Sequence, residues 1–67
     1  MQKISLKEAR LHAGLTQEEV ARQIHRGRQT IEAWESGKRV IDAVSFLLLC
    51  RIYQIDIDNI FLPCEYV

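Results

Sequence analysis

The chain has 67 residues, which suffice for one domain near the lower size limit of independently folding chains, so we expect a single core and no second domain. Hydrophobic residues make up 48% and charged residues 27%, a balance that excludes disordered and fibrous proteins. The net charge is zero, but residues 1–39 contain eight Lys or Arg against five Asp or Glu, whereas residues 40–67 contain one against four. The basic N-terminal part is therefore compatible with a nucleic-acid partner.

Membrane, secretory and enzymatic classes find no support in the sequence. The longest apolar run, residues 44–50, is much shorter than the roughly 20 residues of a transmembrane helix, and the polar N-terminus predicts no signal peptide, so we expect a cytoplasmic protein. Cys50 and Cys64 form no CxxC pair and have no histidine nearby, which predicts free thiols, a buried Cys50 and no metal site. Without a catalytic motif or room for a substrate cleft, we expect no enzyme, no cofactor and no small-molecule ligand.

Two capping-box patterns predict the first two helices. Residues 5–8, SLKE, mark the start of the first helix, and Gly14 supplies the left-handed residue that ends it. Residues 16–19, TQEE, repeat the pattern, so the second helix should begin at Gln17. The helical spacing predicts that its buried face consists of Val20, Ala21 and Ile24.

A third helix is predicted from Arg28 to about Glu35, after a short corner at residues 25–27. Gly27 is its expected N-cap and Gly37 its end. Its inward residues should be Ile31 and Trp34, so the side chains that point elsewhere are Arg28, Gln29, Glu32 and Ala33. The second and third helices together predict a helix-turn-helix unit over residues 16–37.

A fourth helix should start after the cap Asp42 and run to about Tyr53. Its predicted core residues are Phe46, Leu47, Cys50 and Tyr53. Val44 and Leu48 fall on a different side, where they either extend the core together with Val40 and Ile41 or form a patch that a partner covers.

A short fifth helix is predicted from the cap Asp56 to near Phe61, before Pro63. No strand alternation or repeat is present. The sequence therefore predicts an all-α fold, a compact bundle of five short helices that forms one domain over residues 1–67.

Three segments carry a resemblance to a known family: GLTQEEVA at residues 14–21, the TI and WESGK motifs within residues 30–38, and IDIDNIF at residues 55–61. They resemble the lambda-repressor-like helix-turn-helix proteins, which include phage Cro and repressor proteins and the xenobiotic-response-element type regulators. The similarity extends over about residues 6–62. It implies a sequence-specific regulator that binds double-stranded DNA, most simply a small repressor of the phage or mobile-element kind.

The resemblance also implies roles for individual residues. The third helix would enter the major groove, where Arg28, Gln29 and Ala33 fall at base-reading positions and Glu32 is a weaker candidate. Phosphate contacts would come from Gln17, Ser36, Lys38 and Arg39, with Arg22 and Arg26 as additional candidates. In similar proteins an arginine of the first helix pairs with the glutamate at the end of the third, so Arg10 and Glu35 are expected to form a structural ion pair.

Several positions depart from the family pattern. His25 occupies the corner where the family usually has glycine, and it is interpreted as a turn residue because histidine is enriched at positive φ. Gln54 replaces a frequent glycine after the fourth helix, and Ile41 a frequent proline before it. Val44 and Leu48 replace residues that are often polar, which makes them the candidate dimer surface.

Two functions remain open at this point. The first is a homodimer, at least on DNA, that binds a palindromic operator with recognition helices about 34 Å apart. The alternative is a protein-interaction module, such as a helix-turn-helix antitoxin that binds a toxin.

Overall fold

A computed structural model describes residues 3–61 of the chain, and only the backbone of Phe61. The elements, in chain order, are β1 (Ile4–Ser5), α1 (Leu6–His12), α2 (Gln17–Gln23), α3 (Arg28–Ser36), α4 (Ala43–Tyr53), a 3-10 turn (Ile57–Asn59) and β2 (Ile60–Phe61). The predicted free thiol of Cys64 and the stretch from Pro63 onward lie outside the described residues.

The two predicted capping boxes are confirmed. Ser5 Oγ accepts from the Glu8 amide at 3.1 Å, and the Glu8 carboxylate accepts from the Ser5 amide at 3.1 Å. Thr16 and Glu19 repeat this exchange at the start of α2, with distances of 3.1 and 2.9 Å. The hydrogen bond from the Ser5 amide to the carboxylate is the main cause that lowers the pKa of Glu8, and the bond from the Thr16 amide does the same for Glu19.

The remaining helix boundaries also follow the sequence signals. Gly27 is the N-cap of α3, and Gly37 ends it with a left-handed φ of 82°. The Asp42 carboxylate caps α4 by accepting from the Ser45 amide at 3.1 Å. At the other end of α4, Gln54 has a φ of 56°, the conformation for which glycine is usual.

The predicted fifth helix is wrong. The Asp56 side chain makes no cap hydrogen bond, and only the 3-10 turn forms before the chain extends. The buried Ile60 then pairs with Ile4 in a two-stranded parallel sheet. The segment after Asp56 is too short to be stable as an isolated helix, so the element that it pairs with determines its conformation. That element is β1, which lies more than 50 positions earlier in the chain, so local sequence signals do not reveal the pairing. The fold is thus mostly helical, with four α-helices among residues 3–61.

The core lies between the four helices and the small sheet. Of the predicted inward residues of α2 and α3, Val20, Ala21, Ile31 and Trp34 are buried, and Ile24 is partly buried against the core. Cys50 is buried as predicted. Among the residues whose side chains are described, the buried hydrophobic ones are Leu6, Ala9, Val20, Ala21, Ile31, Trp34, Ile41, Leu49, Cys50, Tyr53 and Ile60.

One core assignment in α4 is wrong. Leu47 is 55% exposed, whereas Leu49, which was not predicted, is only 1% exposed. The helix is apolar at every position from residue 46 to residue 50, so periodicity alone does not indicate which side packs inward. Val44 and Leu48 are 69% and 41% exposed, so they do not extend the core. They lie on a surface-exposed side of α4.

Candidate nucleic-acid interface

The corner between α2 and α3 is closed by backbone hydrogen bonds. His25 has a φ of 58°, the left-handed conformation expected of a turn residue at this corner. The Arg26 amide donates to the Ala21 carbonyl at 2.8 Å, which is the long bond of a Schellman motif with His25 at the C′ position. Ala21 is buried and small, so α3 can pass close to α2. Local backbone geometry thereby sets the angle of the helix-turn-helix unit.

The α3 helix separates its core-facing side from its outward side. Ile31 and Trp34 anchor one side in the core. Successive residues are rotated by about 100°, so the opposite side carries the side chains at positions 28, 29, 32, 33 and 36. Arg28, Gln29 and Glu32 are exposed there, and Ala33 is half-buried. The hydrogen-bonding groups at the start of α3 are therefore accessible to a ligand.

A buried ion pair ties the end of α3 to α1. Arg10 Nε donates to Glu35 Oε2 at 2.7 Å, and the Arg10 terminal nitrogen Nη2 donates to Oε1 at 3.3 Å. The other terminal nitrogen, Nη1, donates to the Leu15 carbonyl at 2.9 Å. The two side chains are only 8% and 6% exposed. Arg10 and Glu35, which the resemblance assigned to an ion pair, are therefore in direct bidentate contact. This is the strongest geometry for an arginine and a carboxylate.

A chain of hydrogen bonds extends from this ion pair to the start of α3. Gln17 Nε2 donates to Glu35 Oε1 at 3.0 Å. Gln17 Oε1 in turn accepts from Arg28 Nη1 at 3.2 Å. Sequence reasoning gave Gln17 only a role toward phosphate and did not find this link, because residues 17, 28 and 35 meet only after α2 and α3 pack. The structure thus joins one candidate phosphate-binding residue to one candidate base-reading residue.

The remaining candidate phosphate-binding residues fall into two groups. Ser36, Lys38 and Arg39 are exposed at and beyond the end of α3, where the Ser36 hydroxyl donates to the Ala33 carbonyl at 3.3 Å. Arg22 and Arg26 are exposed in the last turn of α2 and in the corner that follows it. There they line a surface groove with Arg28, Glu18 and Ala21. The structure therefore brings three arginines together around the corner, a grouping that their spacing in the sequence did not reveal.

The N-terminus of α4 lies near this basic group. Asp42 has a lowered pKa, caused first by the hydrogen bonds from Ser45 and to a smaller degree by the charge of Arg26. Its carboxylate is therefore ionised at neutral pH and partly offsets the positive charge of the corner.

Residues 3–61 contain no group of three or more His, Cys, Asp or Glu side chains that could hold a metal ion. Over the same stretch, none of the helices has the length and apolar character needed to cross a bilayer.

The helices α2 and α3 form a tight pair. Ile31 and Trp34 anchor α3 in the core, and its polar side chains point outward. This arrangement defines a DNA-binding domain of the helix-turn-helix class. In agreement with this geometry, the model of the helix-turn-helix family matches residues 6–60. The chain therefore belongs to the helix-turn-helix family of lambda-repressor-like DNA-binding proteins. Comparisons with curated proteins and with solved structures gave no significant match.

As a member of this family, the chain is a transcription regulator that binds double-stranded DNA.

Proposed function

We propose that the protein is a small repressor that binds a specific operator and reads the major groove with the N-terminal half of α3. The observation that carries the proposal is the exposed row of polar side chains on α3, opposite the buried Ile31 and Trp34. Arg28 suits guanine, Gln29 suits adenine, and the Ala33 methyl suits a thymine methyl. Glu32 is a weaker candidate that could accept from cytosine.

Phosphate contacts would hold α3 in the groove. Gln17 lies at the start of α2, and Ser36, Lys38 and Arg39 lie at and beyond the end of α3, so these residues flank the base-reading side chains. Arg22 and Arg26 would extend the contact on the side of the corner. Such contacts position the domain and supply the salt-dependent part of the affinity.

We further propose that the protein binds a palindromic operator as a homodimer through the outer side of α4. Val44, Leu47, Leu48 and Arg51 line a shallow groove there, and we call these four residues the α4 outer face. Its three aliphatic side chains are at least 41% exposed. An apolar patch this small suits a weak interface, below the roughly 1,200 Å² of stable complexes, that forms fully only when two copies sit on one operator.

DNA binding is tested by selecting bound duplexes from a random pool and by titrating the selected site at several salt concentrations. The affinity should fall steeply as salt rises, because counterions are released from the phosphates. Arg28→Ala should cost about 1–3 kcal/mol and relax the preference at one base pair, whereas Lys38→Ala should weaken all sites equally. Lys7→Ala removes an exposed cation from α1, outside the helix-turn-helix unit, and should change neither quantity. Salt-independent binding, or an Arg28→Ala variant with wild-type selectivity, would refute the proposal.

The dimer surface is tested with two leucines of equal exposure. Leu47 on the α4 outer face and Leu11 on α1 are both 55% exposed, so replacing either with glutamine has a similar effect on monomer hydration. Leu47→Gln should reduce binding to the full palindrome by about tenfold or more, because the buried leucine contact is lost, and should leave half-site binding unchanged. Leu11→Gln should alter neither. Equal behaviour of the two variants would argue against dimerisation through α4.

The second candidate function is a protein-interaction module, such as an antitoxin that binds a toxin. The α4 outer face also favours this candidate, since a protein partner could cover it. A chain of this kind would bind its partner with an affinity that depends on Leu47 and not on Arg28. The pool selection separates the two candidates, because only the first requires an enriched DNA sequence.

A further inference from the structure

The α4 outer face is symmetric in the positions of its residues. Val44 and Arg51 form its two ends, Leu47 and Leu48 form its middle, and both pairs are centred between residues 47 and 48. Their spacing of three and four residues keeps all four on one side of the helix. A two-fold axis through this midpoint, perpendicular to α4, therefore maps the face onto itself, as an interface between two identical chains requires.

Opposite charges stand at the two ends of α4. Asp42 is the N-cap and Arg51 lies in the last turn, and both residues are exposed. Among residues 3–61, neither side chain lies within 4 Å of an oppositely charged group. Nine positions, about 13 Å along the helix axis, separate the two residues, so they cannot pair with each other within one chain.

We propose that two copies of the chain pair their α4 helices antiparallel, so that Arg51 of each copy forms an ion pair with the partner's Asp42. This inference rests on the proposed function, in which the α4 outer face forms a homodimer, and adds the orientation and the charge contacts of that dimer. The two-fold axis brings Arg51 beside the partner's Val44. The partner's Asp42 is then only two residues away, about 3 Å along the axis, which the long arginine side chain can span.

The charges favour this orientation and this occupant. A parallel pair would bring the two Arg51 guanidinium groups together, which like-charge repulsion disfavours. The three exposed aliphatic side chains alone are too few for a stable interface with an arbitrary protein. A second copy contributes three more and adds an ion pair at each end. Exposed ion pairs contribute little affinity but determine the register and the orientation.

The test measures cooperativity, defined as the affinity for the selected palindrome relative to the affinity for one half-site. Each half-site affinity corrects for the effect of a substitution on DNA binding itself. Arg51→Gln and Asp42→Asn, which keeps a capping oxygen, should each lower cooperativity about 2- to 30-fold, because two symmetric ion pairs are lost. The double variant should lower it no further than either single variant. Because the two residues are far apart within one chain, such non-additivity indicates a contact between copies.

Asp56 provides the matched control for the loss of a carboxylate. It lines a second groove together with Arg51 of the same chain. Asp56→Asn should leave cooperativity unchanged, because the proposed contact is with the partner's Asp42.

Val44 gives a second test that depends on the sign of an added charge. It is 69% exposed, so the monomer accommodates a charged residue there, which circular dichroism verifies. In the antiparallel pair Val44→Glu places a carboxylate beside the partner's Arg51, whereas Val44→Lys places a cation there. Cooperativity should be higher for Val44→Glu by about fivefold or more. Leu11→Glu and Leu11→Lys on α1 are the controls and should give equal cooperativity.

Sedimentation equilibrium of the free protein at millimolar concentration repeats these comparisons without an operator. Non-additive losses together with a higher value for Val44→Glu would support the inference. Additive losses, or equal values for the two Val44 variants, would overturn the antiparallel pairing and leave the proposed dimer intact if Leu47→Gln still weakens association. A wild type that neither self-associates nor binds the palindrome cooperatively would overturn the dimer and this inference together, and would leave the face to a different protein.

Discussion

Breaking the Arg10–Glu35 pair should strongly destabilise the fold. Arg10→Met leaves the Glu35 carboxylate with only Gln17 as a donor, and Glu35→Met leaves the Arg10 guanidinium with only the Leu15 carbonyl. Each variant strands a buried charge, which costs about 3–5 kcal/mol. A domain of 67 residues has a total stability of roughly 3–10 kcal/mol at about 0.05–0.15 kcal/mol per residue. Either single substitution should therefore remove about a third of the stability at least, and all of it if the domain lies at the low end of this range.

The double variant distinguishes charge pairing from ordinary packing. Replacing both residues with methionine leaves no stranded charge, so its loss should be at least ~2 kcal/mol smaller than the sum of the single losses. The free energy of unfolding is measured in urea, with the fluorescence of the buried Trp34 as the probe. If a single variant is unfolded in water, Arg10→Lys and Glu35→Gln provide a milder cycle. Lys7 and Glu32, both exposed, are the control pair and should be additive. Losses for Arg10 and Glu35 that add to within ~0.5 kcal/mol would refute the reasoning.

Three further predictions concern the core, the corner and the caps. Leu49→Ala should lower the free energy of unfolding by about 2–5 kcal/mol, and Leu47→Ala should lower it far less in the monomer, because only Leu49 is buried. Equal losses in urea unfolding would contradict the packing of α4. His25→Gly should raise the thermal midpoint or leave it unchanged, since glycine removes a left-handed strain of about 1–2 kcal/mol, while His25→Val should lower it; the reverse order would contradict the corner geometry. The free energy of unfolding should decrease with acid, because hydrogen bonds in the folded state lower the pKa of Glu19 and of Asp42. The two carboxylates stabilise the fold fully above their ordinary pKa values of 4.5 and 3.8. This stabilisation is lost as the pH falls through their lower pKa values in the folded state. Glu19→Gln combined with Asp42→Asn keeps both caps without titration and should flatten the dependence of the urea midpoint on pH below 4.5; an unchanged slope would contradict the assignment.

The hydrogen bonds of Gln17 join the two ends of α3. Arg28 lies at the start of α3 and Glu35 near its end, yet both contact Gln17 at the start of α2. The same side chain is a proposed phosphate contact. A substitution that removes the Gln17 amide would therefore remove a hydrogen bond at each end of α3 as well as the proposed phosphate contact.

Features that depend on residues close together in the chain were predictable from the sequence. The capping boxes at Ser5 and Thr16 and the glycines around α3 act within a few positions, so they define the helix boundaries before any packing occurs. The inward residues Ile31 and Trp34 followed from helical spacing because their neighbours on α3 are polar. These local signals were enough to predict the helix-turn-helix unit.

Features that require contacts between distant segments were not predictable from the sequence, because they form only when the helices pack. The side of α4 that packs inward could not be predicted, because Leu47 and Leu49 are equally apolar and the other helices select between them. Ile60 is extended and not helical because Ile4 pairs with it from the other end of the chain. The link from Glu35 through Gln17 to Arg28 likewise exists only once α2 and α3 are packed, since hydrogen bonds between side chains depend on positions in space that the local pattern of residues does not contain.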